Sequence, residues 1–128
     1  MPPKVVSPSE VAASLGELWS PRVIAEVDEV FVKVAKVEGE FDWHHHVGED
    51  ELFLILEGRL RIEFEDGAVE LGPGELVVVP KGVRHRPVAA RECRLMLIER
   101  KETKHTGETV TAKTRSLADQ LRPIGEHA

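Results

Sequence analysis

Three consecutive histidines precede a glutamate in the stretch WHHHVGEDELFLILEG, residues 43–58. Side chains alternate between the two faces of an extended strand, so His44 and His46 share one face while His45 points to the other. Gly48 indicates a turn, and a hairpin at this point would bring Glu51 up to the two histidines. Imidazole and carboxylate groups are ligands that divalent metals accept. The stretch therefore predicts most of a metal site.

The carboxylate of this site has two candidates. Alternation places Glu51 on one face with Phe53 and Ile55, and we favour it. Asp50 stays open as the alternative, because a turn at Gly48 that shifts by one residue would exchange the two side chains.

A second stretch, GELVVVPKGVRH at residues 74–85, has an apolar run, a turn at Pro80 and Gly82, and then His85. Together the two stretches resemble the two sequence motifs of the cupin family. The matching positions are Gly39, His44, His46, Glu51, Gly58, Gly74, Pro80, Gly82 and His85. Two departures stand out: the gap between Gly39 and His44 is one residue short of the commonest form, and Ala89 replaces an asparagine that often ends the second motif.

The resemblance implies an all-β fold, a cupin jelly-roll barrel of two antiparallel sheets, here with a short N-terminal helix. It implies one divalent metal ion held by His44, His46, Glu51 and His85. Three neutral imidazoles and one carboxylate suit Fe, Mn, Ni, Co or Zn, and in octahedral geometry they leave two positions open. The chain looks like a small single-domain bacterial barrel of the type often labelled mannose-6-phosphate-isomerase-like. The substitution of Ala89 argues against transferring the activity of the oxalate-degrading members.

The rest of the chain predicts strands of a sandwich or barrel. A short helix is expected over about 8–15, because Ser7 and Glu10 form a capping box and Pro8 suits the first helical position. We predict a type I′ turn at Asp66-Gly67, an edge strand at 109–111 and a helical turn at 116–121. The predicted strands are 22–27, 30–37, 41–46, 51–56, 59–65, 68–71, 76–79, 84–89 and 93–99. Residues 1–128 are expected to form one domain, with a core at about 20–100 and a polar extension at 101–128.

Composition narrows the class of protein. The net charge of −6 argues against a nucleic-acid or anionic-membrane partner, and we find no apolar run long enough to cross a membrane. The N-terminus lacks the apolar region of a signal peptide, and Cys93 is the only cysteine, which suits a reducing cytoplasm. We expect a cytoplasmic protein. A homodimer is expected from the resemblance, in which segment 1–28 could exchange between subunits.

The predicted pocket is mainly apolar. Phe53, Ile55, Leu76 and Val78 are expected either to line it or to be ordinary core. Arg84 and Arg86 flank His85 and should point outward, and Lys33 and Lys36 lie on opposite faces, so at most one points inward. Trp43 is expected to cap the pocket mouth or to pack ordinarily. Cys93 is expected to be a small buried hydrophobic residue, and we expect no specific role for His105 and His127.

Two classes of function follow. The first is a metal-dependent enzyme that acts on a small polar molecule, by dioxygenase-type chemistry or by isomerase or lyase chemistry with the metal as a Lewis acid. Isomerase or lyase chemistry also needs a general base, and no inward side chain besides the ligands is predicted to supply one. A phosphosugar isomerase is least favoured, because interior Arg and Lys are scarce; an inward Arg94 would revive it. The alternative is a non-catalytic barrel that binds or senses a small molecule.

Overall fold

The computed structural model describes residues 1–124. In this part of the chain there are two short helices and seven antiparallel strands. They are α1 Pro8–Ser14, β1 Arg22–Val27, β2 Val30–Glu40, β3 Glu51–Glu57, β4 Leu60–Phe64, β5 Gly67–Leu71, β6 Leu76–Val79, β7 His85–Arg100 and α2 Leu117–Gln120. The mostly-β prediction is confirmed, with fewer strands than were expected, because 84–89 and 93–99 form the single strand β7 and 41–46 forms none.

The N-terminal helix begins as predicted. The Ser7 hydroxyl accepts a hydrogen bond from the Glu10 backbone N–H at 3.3 Å, and Pro8 occupies the first turn. Helix α1 buries Ala12 and Leu15 against Val34 on the outer face of β2. The helix thereby covers the outside of the barrel wall, and the inner face of β2 remains available to the interior.

Strand β7 joins the two halves of the barrel. Its first residues pair with β4, where Ile62 lies opposite Pro87, and its last residues pair with β3, where Phe53 lies opposite Leu97. The strand order is β1-β2-β7-β3-β6, with β4 and β5 attached through β7. Alternate residues of β7 are buried on both sides of the exposed residues 90–92, from His85 to Ala89 and from Cys93 to Glu99, so this one strand carries both site and core residues.

The core fills the barrel interior. It is built from apolar side chains of β2, β3, β4 and β7, closed at one side by Trp19 stacked on Phe41 with ring centroids 4.8 Å apart. Cys93 is fully buried in this core, as predicted, and burial raises the pKa of its thiol to about 11.

The register of β6 corrects one prediction about the pocket wall. Leu76 and Val78 are exposed, because they pair with Leu54 and Leu52, which lie on the outer face of β3. Directly paired residues share a face, so Val77 and Val79 point inward instead. Phe53 and Ile55 are buried as predicted.

Two local predictions also fail. Phe64 pairs with Gly67, so the β4–β5 turn consists of Glu65 and Asp66 rather than Asp66-Gly67. The backbone φ of neither residue is positive, which a type I′ turn would require. No strand forms at 109–111, whereas α2 confirms the helical turn predicted at 116–121. His127 lies outside the described residues.

No helix in residues 1–124 is long and apolar enough to cross a membrane.

Candidate metal centre

Backbone hydrogen bonds join the two motif stretches at the site. The His44 N–H donates to the His85 carbonyl at 3.0 Å, and the His85 N–H donates back to the His44 carbonyl at 2.9 Å. The Gly82 N–H donates to the His46 carbonyl at 2.7 Å, where the φ of +79° at Gly82 favours glycine. Residues 41–46 are therefore held by β7 and its preceding turn, not by a hairpin with β3 as we had predicted.

The structure brings four predicted residues together. One nitrogen or oxygen atom from each of His44, His46, Glu51 and His85 lies within 4.8 Å of the other three, and all four side chains are buried. Glu51 Oε1 is 3.5 Å from Nε2 of both His46 and His85. In an octahedron with metal–ligand distances of about 2.1 Å, donor atoms lie roughly 3.0 Å apart when adjacent and roughly 4.2 Å apart when opposite. The observed spacing requires only a small contraction to fit that geometry.

Hydrogen bonds at Nδ1 of His44 and His85 leave Nε2 of each ring available to a metal. His44 Nδ1 donates to the Asp42 carbonyl, and His85 Nδ1 donates to the Val83 carbonyl, both at 2.9 Å. These bonds place the proton on Nδ1 and leave the Nε2 lone pair free. Such outer hydrogen bonds are the usual way in which proteins orient histidine ligands.

Several buried polar atoms of this group have no hydrogen-bond partner among residues 1–124. They are both ring nitrogens of His46, Glu51 Oε1 and His85 Nε2. A buried polar group without a partner costs about 1–3 kcal/mol. Several such atoms at one point therefore indicate that a bound group outside residues 1–124 interacts with them. The donor set and its unpartnered atoms fit a divalent metal.

The electrostatics of the group favour the protonation states that metal binding needs. Burial, with the neighbouring His85, lowers the pKa of His44 to about 4, so its imidazole is neutral near pH 7. Burial alone would raise the pKa of Glu51, but the approach of His46 and His85 outweighs burial and holds that pKa well below its ordinary value. Glu51 is therefore a carboxylate beside the neutral imidazole of His44.

Neighbouring residues fall where the alternation predicts. His45 is exposed, and Asp50 is exposed as well, with its Oδ1 accepting a hydrogen bond from the Lys81 N–H at 2.8 Å. Asp50 thus lies outside the group that Glu51 joins. Arg84 and Arg86 point outward, and both stack on Trp43, which is therefore a surface residue and does not line the cavity.

A buried charged pair beside the group was missed in the sequence. Lys33 Nζ lies 2.8 Å from Glu99 Oε1, and the two side chains are only 1% and 4% exposed. Glu99 is directly opposite Glu51 on neighbouring strands. Burial and the charge of Glu51 raise the pKa of Glu99 well above its ordinary value, although the neighbouring Lys33 acts in the opposite direction.

The strand alternation contained the signal for this pair. Lys33 follows Phe31 and precedes Ala35 on the inner face of β2, and Glu99 follows Leu97 on the inner face of β7. Lys33 points inward and Lys36 does not, as the alternation predicts, whereas the expectation of no inward candidate base besides the ligands is wrong, because Glu99 points inward. Arg94 binds Glu57 and Glu92 at the surface, so the interior gains no arginine from that strand.

A cavity of about 40 Å³ lies beside the group. His44, Glu51 and His105 are its polar lining residues, and the remaining wall is apolar, including Trp19, Phe41 and Leu97. The structure places His105 in the cavity wall, whereas the sequence predicts no specific role for this residue. The sequence around His105 shows no periodicity, so no local signal could have indicated that it folds back to the barrel.

An antiparallel barrel with three histidines and a glutamate gathered inside defines a class of proteins. A cupin domain model matches residues 30–99, and the chain belongs to the cupin family.

Individual proteins are also similar to the chain. A cupin-2 domain protein from Shewanella frigidimarina is 45% identical, with a TM-score of 0.74 over 76% of this chain and 95% of that one. Protein NMB1881 from Neisseria meningitidis is 31% identical, with a TM-score of 0.70 over 77% of this chain and all of that one. The uncharacterised Bacillus subtilis protein YdbB is 45% identical over 64 residues, which cover 49% of this chain and 57% of that relative.

Proposed function

We propose that the protein is a metal-dependent enzyme acting on a small polar molecule, with His44, His46, Glu51 and His85 as the ligands of one divalent ion. The observation that carries this proposal is the set of buried, unpartnered nitrogen and oxygen atoms that these residues aim at one another. A bound ion would supply Lewis acidity, and iron or manganese would add redox chemistry.

The chain's own residues contribute orientation and exclusion of water. The carbonyl groups of Asp42 and Val83 fix the rings of His44 and His85, so these two residues can bind with little reorganisation. The apolar wall of the cavity keeps bulk water away and strengthens the electrostatic interactions inside it. The small size of the cavity suits a small substrate.

The reaction is proposed only as a choice between dioxygenase-type and isomerase- or lyase-type chemistry. A hydroquinone 1,2-dioxygenase solved with Cd²⁺ and 4-hydroxybenzonitrile shares the fold, with 22% identity and a TM-score of 0.64. At this identity the likeness concerns the fold, and it makes oxygen chemistry a reaction to test first. We assign the chain to the small cupins often labelled mannose-6-phosphate-isomerase-like for their fold, without their phosphosugar chemistry, because Arg94 is at the surface.

The remaining parts of the proposal concern the extent of the domain, the oligomeric state and the partners of the protein. We propose a single domain over residues 1–128, with the polar extension beyond residue 100 forming part of the site. A cytoplasmic homodimer that binds a small molecule, and neither nucleic acid nor membrane, remains our prediction.

The test is the metal content of untagged protein purified without nickel resin or chelators, measured by plasma mass spectrometry. We expect about one ion per chain in the wild type, and its loss in the His44→Ala/His85→Ala double variant. The exposed neighbour provides the matched control, so His45→Ala should keep the ion. Absence of metal from the wild type, even after reconstitution, would overturn the proposal and leave a binding barrel.

The identity of the ion directs the next experiment. Iron or manganese would call for oxygen-uptake screens with small phenols and diketones. Zinc or nickel would call for proton-exchange assays in deuterated water with small hydroxy-ketones. Failure of every turnover screen, with tight binding of a small ligand, would favour the non-catalytic binding barrel.

A further inference from the structure

The segment that follows β7 folds back over the loop that carries the first two histidines. The Thr111 hydroxyl donates to Asp42 Oδ2 at 2.6 Å, which ties the segment to this loop. Gly107 packs so closely that an added Cβ would lie 2.0 Å from the His45 backbone oxygen. The segment lies beyond residues 30–99, which match the cupin domain model, so it is an addition to the barrel proper.

This segment brings His105 to the cavity wall. The ring of His105 lies against Phe41, with centroids 5.2 Å apart, and it lines the same cavity as His44 and Glu51. Since the latter two belong to the metal group, His105 contributes a polar ring to the cavity that the metal group does not use.

One hydrogen bond defines which nitrogen of His105 carries the proton. The Arg115 backbone N–H donates to His105 Nδ1 at 2.9 Å, so Nδ1 is the acceptor and a neutral ring carries its proton on Nε2. Burial lowers the pKa of His105 to about 4, which keeps the ring neutral near pH 7. The only hydrogen bond of the His105 ring in residues 1–124 is the one at Nδ1, which leaves the Nε2 donor free for a bound molecule.

The charge of the metal group limits what this molecule can be. Three neutral imidazoles and one carboxylate around a divalent ion leave one net positive charge, which a monoanion neutralises. The apolar wall at Phe41, Phe53 and Leu97 suits a small apolar body.

We infer that His105 is a ligand-binding residue, whose Nε2–H donates a hydrogen bond to an oxygen of a small monoanionic oxygen ligand held beside His44 and Glu51. The inference rests on the proposed metal site. It adds the recognition residue and the ligand class, and it makes the segment after β7 part of the site.

The experiment uses Co(II)-loaded full-length protein and acetohydroxamate, a small monoanionic chelator with two oxygen donors and one methyl group. Binding is followed by the visible absorption of Co(II). His105→Asn keeps an acceptor for the Arg115 N–H but loses the donor at the Nε2 position, whereas His105→Gln can place an amide N–H there. His45→Asn is the matched control on the exposed histidine of the same region.

We expect His105→Asn to weaken acetohydroxamate binding by about tenfold or more, as the loss of a hydrogen bond to a charged group should. His105→Gln should recover binding to within roughly threefold of wild type, and His45→Asn should match wild type. The second readout is the ¹⁵N spectrum of the imidazoles in metal-free protein, in which His105 should carry its proton on Nε2. Thermal unfolding of each variant establishes that it is folded.

The outcomes separate this inference from the metal proposal. If wild type and variants bind one Co(II) per chain and acetohydroxamate binds all of them equally, the role of His105 is wrong while the metal site stands. Equal weakening in the Asn and Gln variants, or a proton on Nδ1, would also overturn the role. If the wild type binds no Co(II), the metal proposal fails and this inference fails with it.

Discussion

Two of the ion pairs made by strand β7 lie on opposite faces of the barrel wall. Inside the barrel, Glu99 pairs with Lys33 of β2, and both side chains are almost wholly buried. Outside, Arg86 pairs with Glu63 of β4 at 2.7 Å, with side chains that are 26% and 23% exposed. The residue types are comparable, yet water solvates the outer charges and not the inner ones. Burial therefore decides which pair matters to folding.

The inner pair is coupled to the metal group, and the outer pair is not. Glu99 lies directly opposite Glu51, whose charge raises the pKa of Glu99, and Lys33 is the cation that acts against this rise at this end of the barrel. The outer arginine also reaches Glu40 and stacks on Trp43, but these contacts remain at the surface. The comparison predicts that substitutions inside are severe and cooperative, whereas those outside are mild and salt-dependent.

Removing Lys33 should have the largest effect on stability. Lys33→Met keeps an unbranched apolar side chain and deletes the charge, which leaves the buried Glu99 and Glu51 without a cation. Loss of one partner of a buried pair costs about 3–5 kcal/mol, so we expect the free energy of unfolding to fall by roughly that amount. Urea denaturation of the metal-free protein at pH 7 measures it.

The double variant Lys33→Met/Glu99→Gln provides the control. It removes both charges, and we expect it to recover at least half of the lost stability, since a neutral replacement of a buried pair is often close to neutral. A loss below about 1 kcal/mol in Lys33→Met would contradict the comparison, because it would mean that the inner charge behaves like a surface charge.

The pH dependence of stability should be the next largest effect. Burial lowers the pKa of His44 and of His105 from 6.5 to about 4. Between these pH values the unfolded chain therefore binds protons that the folded protein does not bind. Stability is therefore present above about pH 6.5 and is lost as the pH falls towards 4. Each histidine should account for a loss on the order of 2 kcal/mol at pH 4.5. Urea denaturation of metal-free protein from pH 7.5 to 4.5 measures the slope.

His105→Gln isolates one of these contributions. Because Gln does not titrate, the difference in unfolding free energy between wild type and this variant should shrink or reverse as the pH falls. The raised pKa of Glu99 works in the opposite direction in both proteins and cancels in the difference. Parallel pH profiles of the two proteins would show that His105 titrates as it does in the unfolded chain.

The metal group was predictable from sequence, because strand alternation and motif spacing both point to its residues. Alternation placed His44 and His46 on one face, and the motif spacing added Glu51 and His85, all of which the structure brings together. The same alternation allows Lys33 to point inward and puts Glu99 on the face of Leu97, but charged residues are seldom buried, so the sequence alone gives no reason to pair them. The register of β6 could not be predicted from sequence. Leu76 and Val78 are as apolar as their inward neighbours, and only the pairing of β6 with β3 decides which residues face inward.

The contribution of His105 was beyond prediction from sequence. Its position depends on single long-range contacts, such as the hydrogen bond from Thr111 to Asp42 and the close packing of Gly107 on His45. Such contacts follow no repeat and leave no pattern in the chain. The polar composition of the segment predicts an exposed extension, as we expected, because composition reports average solvation and not which side chain turns inward.

The outer pair should give the smallest effect and thereby sharpen the comparison. Arg86→Ala removes the bonds to Glu63 and Glu40 and the stacking on Trp43. Because water solvates these charges, we expect the free energy of unfolding to fall by less than about 1 kcal/mol, and by less still in 1 M NaCl. Metal stoichiometry should stay at the wild-type value, since Arg86 points away from the group that its neighbour His85 joins. A loss comparable to that of Lys33→Met, unaffected by salt, would mean that Arg86 is buried in solution, as it would be if this face were covered by another subunit.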